Sequence, residues 1–301
     1  MENEPAMIPN QTALKSLRPD VEVAAGKEQT GKARPVALIP KHIDPHLVSL
    51  VDPDSYEAEQ YRKLRYVLEE KRVAGRGFVV AVCSPAAGDG KSLTAINLAA
   101  SLAQAPDVRV LLLDVDLRRQ SASLKSSLRI PKPDGLGVTD AILRTDVTLQ
   151  DITRPVARSN VSVVLTGTHT AAPYEILRSV RFDGLLTAAA RQYHYVILDA
   201  PPVVPVSDCR VIAKCVDGLL MVVAAHRTPR GMLEEALDLL GPDKLLGVVF
   251  NGGDLMPRRY YGYYGYGMPT AAKRVRRNST PRGLASRHGH RTDIPPAKVT
   301  R

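Results

Sequence analysis

Cysteine is scarce in this sequence, with only Cys83, Cys209 and Cys215 among 301 residues. Their spacings fit neither a disulfide framework nor a zinc site, which excludes a small disulfide-stabilised or zinc-dependent domain. Cys83 ends an apolar run and Cys215 lies in an apolar segment. We therefore expect buried thiols in a reducing cytosol.

The sequence also lacks an apolar run long enough to cross a bilayer. Its first residues lack the apolar core of a secretion signal. Both absences predict a cytoplasmic protein without a membrane-spanning segment of its own.

Outside residues 256–301 the chain has no net charge. Those residues hold eleven Lys or Arg and one Asp, a balance of +10, and the rest of the chain holds 30 charges of each sign. The basic surplus therefore belongs to a tail. This argues against a specific nucleic-acid-binding face on the folded part, although the tail is able to contact anionic surfaces.

The strongest chemical signal lies in Val79–Ser92, which reads VVAVCSPAAGDGKS. An apolar β-type run ends in a glycine-containing loop, Lys-Ser follows, and Leu93–Gln104 then has the periodicity of a helix. A phosphate-binding loop has this strand–loop–helix context, although Pro85 stands here in place of its consensus first glycine. Backbone N–H groups of such a loop and the helix N-terminus direct partial positive charge at a phosphate.

Individual residues of this loop have predicted tasks. Gly88 and Gly90 allow positive φ and a close approach of the backbone to the ligand. Lys91 is expected to reach the β- and γ-phosphates, and the Ser92 hydroxyl to ligate Mg²⁺. The alternative is an ordinary turn between a strand and a helix, which the flanking elements disfavour.

Two further apolar runs end in acidic residues. Val108–Leu113 leads into Asp114 and Asp116, and Tyr195–Leu198 leads into Asp199. Parallel sheets bind ligands at the carboxyl ends of their strands, and one intervening residue on an extended segment points Asp114 and Asp116 the same way. We expect these carboxylates to handle a metal ion or a nucleophile, and the alternative is a set of solvated loop aspartates.

Strand and helix patterns alternate along the chain, which predicts a doubly wound, mainly parallel α/β sheet with helices on both faces. The remaining strands are predicted at Val161–Leu165, Gly218–Ala225 and Leu245–Phe250, the remaining helices at Gly137–Leu143, Pro173–Arg191 and Gly231–Leu240, and a loop at Ser121–Asp134. Residues 1–44 are predicted to be disordered, residues 45–255 to form the folded domain and residues 256–301 to form a flexible tail.

A helix pattern also begins at Ser55. Glu59, Arg62 and Arg65 share one of its faces because they are three residues apart. The bland alternative is a solvated face with intrahelical ion pairs, each of which contributes a few tenths of a kcal/mol.

The tail contains a tyrosine cluster. Residues 260–266 read YYGYYGY, so five of the eleven tyrosines fall within seven residues. Glycines and the lack of aliphatic residues argue against a core strand. The functional interpretation is a group of exposed phenols on a mobile tether, and the alternative is a low-complexity adhesive tail.

Together these motifs resemble the bacterial tyrosine kinases of capsule and exopolysaccharide synthesis, the BY-kinase family of CpsD/CapB type. The resemblance covers about residues 55–267 and is specific because the motifs occur in the family's order and spacing. The motifs are the ExxRxxR helix, the loop ending in Gly90-Lys91-Ser92, LLLDVDLRR at 111–119, VILDAPP at 196–202, APYEILRS at 172–179 and the tyrosine cluster.

The resemblance implies a P-loop NTPase fold of MinD/ParA-like architecture and an ATP-dependent protein-tyrosine autokinase, which converts ATP and a protein tyrosine into ADP and phosphotyrosine. The implied catalytic residues are Lys91, Asp114 and Asp116, with Asp114 accepting the proton of the attacking tyrosine. The implied Mg²⁺ ligands are Ser92, Asp116 and Asp199. The implied nucleotide contacts are Gly88, Asp89, Gly90, Lys91, Ser92, Leu93 and, at the adenine, Asn251.

The resemblance also implies partners. Glu59, Arg62 and Arg65 would form the surface of a ring-like homo-oligomer in which one subunit's tail enters a neighbour's site. The phosphoacceptors would be Tyr260, Tyr261, Tyr263, Tyr264 and Tyr266. Relatives are fused to, or pair with, a membrane-spanning adaptor, so a separate transmembrane adaptor, a place at the inner face of the membrane and a cognate tyrosine phosphatase are expected.

Two other interpretations remain open. A MinD/ParA-like positioning ATPase has the same fold, but such proteins usually carry a second lysine early in the loop, where this chain has Ala86. The other is a non-catalytic, nucleotide-gated assembly subunit. The set of Lys91, Ser92 and three aspartates argues against it, whereas Pro85 and Gln120, which stands where many relatives carry Pro, depart from the pattern.

Overall fold

The computed structural model describes residues 44–118, 123–128, 130, 135–156 and 159–253. All of them belong to the first of two units into which the chain divides, Met1–Gly253. The second unit, Asp254–Arg301, and most of the predicted N-terminal segment lie outside the described residues.

Seven strands form one sheet in the described part of the chain. They are β1 Phe78–Cys83, β2 Val110–Asp114, β3 Arg154–Pro155, β4 Val161–Val164, β5 Tyr195–Asp199, β6 Gly218–Ala224 and β7 Leu245–Asn251. Their order is β3-β4-β2-β5-β1-β6-β7, and all neighbours are parallel except β3 and β4. The predicted mainly parallel sheet is confirmed, so the carboxyl ends of β1, β2 and β5 meet at one edge.

Helices cover both faces of this sheet. They are α1 Val48–Val51, α2 Tyr56–Lys71, α3 Lys91–Leu102, α4 Ser123–Ser127, α5 Val138–Leu143, α6 Leu149–Ile152, α7 Pro173–Arg178, α8 Val180–Gln192, α9 Asp208–Cys215 and α10 Arg230–Leu240. One core contains Leu68 of α2 and Leu98 of α3 together with Val80 of β1, and the other contains Phe182 of α8 together with Ala81 of β1. Because successive residues of β1 face opposite cores, its sequence is apolar throughout.

The helix expected from Ser55 is α2, and its start has a local cause. Ser55 is the N-cap, and its hydroxyl accepts a hydrogen bond from the Ala58 backbone N–H at 3.2 Å. Such a cap satisfies one of the four N–H groups that have no partner within the helix.

Two sequence-based predictions of local structure need correction. The predicted loop Ser121–Asp134 contains α4, because Leu124 and Leu128 lie four residues apart and bury one helical face in the core. The predicted helix Pro173–Arg191 is interrupted at Ser179, which has an extended backbone. Its hydroxyl accepts a hydrogen bond from the Phe182 N–H and so starts α8 as a separate helix.

The thiol of Cys83 is buried as expected, and that of Cys209 is buried too. The thiol of Cys215, also expected to be buried, is only partly so. Among the described residues, every helix is too short or too polar to cross a bilayer.

Candidate active site

The phosphate loop connects β1 to α3, and both of its predicted glycines have positive φ. Gly88 has φ 88° and Gly90 has φ 95°, a conformation that side-chain-bearing residues rarely adopt. A Cβ atom on Gly90 would lie 1.8 Å from Nδ2 of Asn251, which donates a hydrogen bond to the Asp89 carbonyl oxygen at 3.0 Å. Asn251 at the end of β7 thus fixes the loop directly before α3, and only glycine fits at position 90.

Asp89 braces the loop with its side chain. The carboxylate is buried and accepts hydrogen bonds from the Ala86 backbone N–H at 3.0 Å and from Oγ1 of Thr228 at 2.9 Å. Both oxygens are therefore engaged by protein donors. In this conformation it is the backbone of Asp89, rather than its carboxylate, that is left to face a ligand.

Lys91 lies at the start of α3 and points into a group of carboxylates. Its Nζ is 3.2 Å from Oδ2 of Asp116 and 3.3 Å from Oδ1 of Asp199, and only 4% of the side chain is exposed. Burial lowers the pKa of Lys91, but the attraction of Asp199 and Asp116 outweighs this, and the net pKa is raised. The lysine is therefore charged at neutral pH.

The surroundings of Asp114 perturb the pKa of its carboxyl group. Burial and the charge of the neighbouring Asp199 raise its pKa well above the usual value, against the attraction of Lys91 and a hydrogen bond from the Asp116 N–H at 3.2 Å. Asp114 and Asp199 are paired across β2 and β5, which explains their proximity. The protonated form of Asp114 is thus more favoured here than in a solvated aspartate.

Burial likewise raises the pKa of Asp199, while Lys91 and the Ser92 hydroxyl oppose the shift. Asp114 Oδ2 and Asp199 Oδ2 are buried and have no hydrogen-bond partner within the described residues. Unpartnered buried carboxylate oxygens suit a bound cation or its water molecules.

The site offers few metal ligands in total. The described residues contain no group of three or more His, Cys, Asp or Glu arranged to hold a metal ion. Mg²⁺ does not require such a group, because it commonly uses one or two carboxylates together with water and substrate phosphates. Ser92, Asp116 and Asp199, all buried at the same edge of the sheet, match that kind of donor set.

Two features of the site escaped the sequence-based prediction. Arg118 forms a bidentate ion pair with the buried Asp208 at the start of α9, with distances of 2.7 and 2.9 Å. Arg227, at the turn after β6, donates to the Ala87 carbonyl oxygen at 3.1 Å. Both contacts join segments about 90 or more residues apart, so no local pattern predicts them, although Ser207-Asp208 does have the composition of a helix start.

Comparison with known proteins places this site in a family. Residues 77–229 match a family described as an AAA domain. The tyrosine-protein kinase YwqD of Bacillus subtilis is 30% identical over 222 residues, which cover 73% of this chain and 91% of the relative. The chain belongs to the bacterial tyrosine kinases of capsule and exopolysaccharide synthesis. A further member, the tyrosine-protein kinase CpsD of Streptococcus agalactiae, is 31% identical over 193 residues, 63% of this kinase and 81% of the relative.

Solved structures agree with this membership. The chimerical protein CapA2B2 is 26% identical and superposes with a TM-score of 0.62 over 72% of this kinase and 93% of that chain. The kinase domain of Escherichia coli ETK, at 24% identity, shares the fold with a TM-score of 0.65 over 72% of this kinase and 83% of that chain. The resemblance drawn from the sequence motifs and the fold it implied are both confirmed.

In this tyrosine kinase the ExxRxxR helix makes contacts within its own subunit. Arg62 pairs with Glu59 at 2.6 Å, whereas Arg65 pairs with Glu69 at 2.7 Å and also donates to the Ser101 carbonyl oxygen at 3.0 Å. These contacts fit the intrahelical alternative within one subunit. The predicted role of this surface in a homo-oligomer stays a prediction.

The predicted phosphoacceptors Tyr260, Tyr261, Tyr263, Tyr264 and Tyr266 lie outside the described residues, as does Gln120. The other predicted site residues are all described. The structure brings Lys91, Ser92, Asp114, Asp116 and Asp199 together at one edge of the sheet, with Gly88, Asp89, Gly90 and Asn251 beside them.

Proposed function

We propose that this tyrosine kinase transfers the γ-phosphoryl group of Mg²⁺-bound ATP to tyrosines 260–266 of a neighbouring subunit. The observation that carries the proposal is the position of Lys91, held between Asp116 and Asp199 at the end of the phosphate loop. A cation therefore already lies beside the carboxylates that would hold the metal ion, where the negative phosphate oxygens would require charge neutralisation.

The residues divide the chemistry between them. Backbone N–H groups of the loop and Lys91 bind the phosphates, while Ser92, Asp116 and Asp199 hold Mg²⁺ and its waters. When bound, Mg²⁺ neutralises charge that develops on the phosphoryl oxygens. Asp114 accepts the phenolic proton of the attacking tyrosine, whose unperturbed pKa of about 10 makes such a base useful.

Asp114 must be ionised for that task. Its raised pKa in the described conformation works against ionisation, and the attraction of Lys91 together with the Asp116 N–H works for it. The unpartnered Oδ2 is the oxygen left to receive a proton.

The assembly follows the family resemblance. Glu59, Arg62 and Arg65 form the surface of a ring-like homo-oligomer, in which subunits exchange tails. A separate membrane-spanning activator recruits the kinase to the inner face of the membrane, a proposal supported by the similarity to the chimerical protein CapA2B2. A cognate tyrosine phosphatase reverses the modification.

A mixing experiment tests transfer between subunits. Lys91→Met protein keeps the tyrosines but loses the phosphate-binding lysine, and a second variant with all five tail tyrosines changed to Phe keeps the site but lacks acceptors. Each alone should give no tail phosphotyrosine with ATP and Mg²⁺, and the mixture should modify the tail of the Lys91→Met protein. Mass spectrometry locates the phosphate.

Phosphate on tyrosines outside the tail would contradict the proposal. Tyr61 is a useful internal control, because burial raises the pKa of its hydroxyl. ATP hydrolysis without any phosphotyrosine would instead favour a positioning ATPase.

A further inference from the structure

The turn after β6 has a conformation that a non-glycine residue rarely adopts. His226 has φ 61°, and the backbone N–H groups of Arg227 and Thr228 both return to the Ala224 carbonyl oxygen, at 3.2 and 3.0 Å. The Thr228 hydroxyl donates to Asp89 and accepts from the Ala224 N–H at 3.1 Å. The turn is thus attached to the phosphate loop at a fixed position.

This turn places the Arg227 guanidinium on the loop. Its Nη2 donates to the Ala87 carbonyl oxygen at 3.1 Å and lies 4.0 Å from Oδ1 of Asp89. A Cβ atom on Gly88 would lie 2.4 Å from the same nitrogen. The side chain is nevertheless 61% exposed, so one edge of the guanidinium is held by the loop while much of its surface faces outward.

The sheet order decides which end of a nucleotide lies near Arg227. Lys91 points towards Asp116, just after β2, and Asp199, the last residue of β5, and both strands lie on one side of β1. Arg227, shortly after β6, and Asn251, the last residue of β7, lie on the opposite side of β1. If the terminal phosphate lies at Lys91, the nucleoside must extend towards the β6 and β7 side.

We propose that Arg227 binds the nucleoside end of ATP, with its guanidinium plane stacked against the purine ring. A guanidinium is planar, is always charged and stacks on aromatic faces, whereas a lysine ammonium lacks the plane. The contacts to Ala87 and Asp89 hold the group before a ligand arrives, which reduces the entropy lost on binding. This inference rests on the proposed ATP site and adds a specificity-determining residue to it.

Equilibrium titration with two ligands tests the assignment. Mg²⁺-ADP carries the base, and Mg²⁺-tripolyphosphate carries phosphates alone. Arg227→Ala and Arg227→Lys should each bind ADP about five-fold more weakly than wild type, the effect of an exposed cation–π contact, with tripolyphosphate affinity unchanged. Arg230→Ala is the matched control, because Arg230 is exposed on α10 and pairs only with Glu234 among the described residues.

Each other outcome overturns the inference. An equal loss for both ligands would place Arg227 at the phosphates, and an Arg227→Lys protein that binds ADP like wild type would show that charge alone matters. Unchanged ADP affinity in both variants would leave Arg227 without a binding role. Failure of the wild type to bind ADP would overturn the proposed nucleotide site itself, which is distinguishable from the other results.

Discussion

Replacing Lys91 by Met tests whether this lysine, which we propose binds phosphate, is also a structural counter-ion. Its ammonium lies 3.2 Å from Asp116 and 3.3 Å from Asp199, and none of the three side chains is more than 5% exposed. Methionine keeps an unbranched side chain of similar length but leaves two buried carboxylates without a cation. Removing one partner of a buried ion pair costs about 3–5 kcal/mol, a large part of the about 5–15 kcal/mol that stabilises a typical domain.

The loss of stability should depend on pH because the two carboxylates are able to take up protons. Burial raises the pKa of Asp199 in the wild type, and Lys91 opposes the shift. Without Lys91 the pKa of Asp199 in the folded state rises further above its value in the unfolded chain. Stability is therefore retained at low pH, and it decreases as the pH rises from the unfolded-state pKa towards the folded-state pKa. The difference in free energy of unfolding between variant and wild type should therefore be larger at pH 8 than at pH 5.

Urea unfolding at the two pH values measures this difference. Lys244→Met is the matched control, since the Lys244 ammonium donates only to the carbonyl oxygens of Lys214 and Val216 within the described residues. The loss of unfolding free energy caused by Lys244→Met should be the same at pH 5 and pH 8. A Lys91→Met protein that matches wild type at pH 8, or whose deficit is the same at both values, would refute the counter-ion argument.

Three other predictions concern the loop, the helix surface and the tail. Gly90→Ala should abolish ADP binding and lower the unfolding temperature. The control Gly184→Ala in α8, where a Cβ meets open space, should stabilise the folded protein by roughly 0.5–1 kcal/mol. Equal effects of the two substitutions in calorimetry would contradict this. Replacing Arg62 and Arg65 by Ala should convert the oligomer to monomer, and unchanged light scattering would restore the ion-pair alternative. Changing the five tyrosines within 260–266 to Phe should keep ATP binding and prevent dissociation of the oligomer. Each phosphate on the wild-type tail adds about −1.5 to −2 charge and opposes re-entry of the tail into a site, and the Phe variant cannot acquire that charge. A variant that still dissociates on incubation with ATP would contradict this.

The charged residues of the site were predictable because each follows a local sequence pattern, either an apolar strand or a glycine-containing loop. Asp114 and Asp199 follow apolar runs, and Lys91 follows a glycine loop, so local sequence places all three at the carboxyl edge of the sheet. The strand order then brings them together, as β2, β5 and β1 are neighbours.

The supporting contacts were not predictable in this way. From its place in the phosphate loop, Asp89 is expected to face a ligand. Its carboxylate is instead turned inward by a hydrogen bond from Thr228, 139 residues further along the chain. The ion pair of Arg118 with Asp208 likewise depends on the position of α9 relative to β2. The break between α7 and α8 at Ser179 arises because the Ser179 hydroxyl, rather than a backbone carbonyl of a continuous helix, accepts the hydrogen bond of the Phe182 N–H.

The hydrogen bond from Arg65 to Ser101 links the surface of α2 to the helix that begins at the phosphate loop. The Nη1 of Arg65 holds the Ser101 carbonyl oxygen in the last turn of α3, the helix whose first residues are Lys91 and Ser92. The twelve residues of α3 form one rod about 18 Å long. If Arg65 contacts a neighbouring subunit and Lys91 binds nucleotide, as proposed, the two events would act on opposite ends of the same helix. A neighbouring subunit that drew Arg65 away from Ser101 would loosen the last turn of α3. We therefore expect faster amide exchange in that turn in the proposed oligomer than in the monomer.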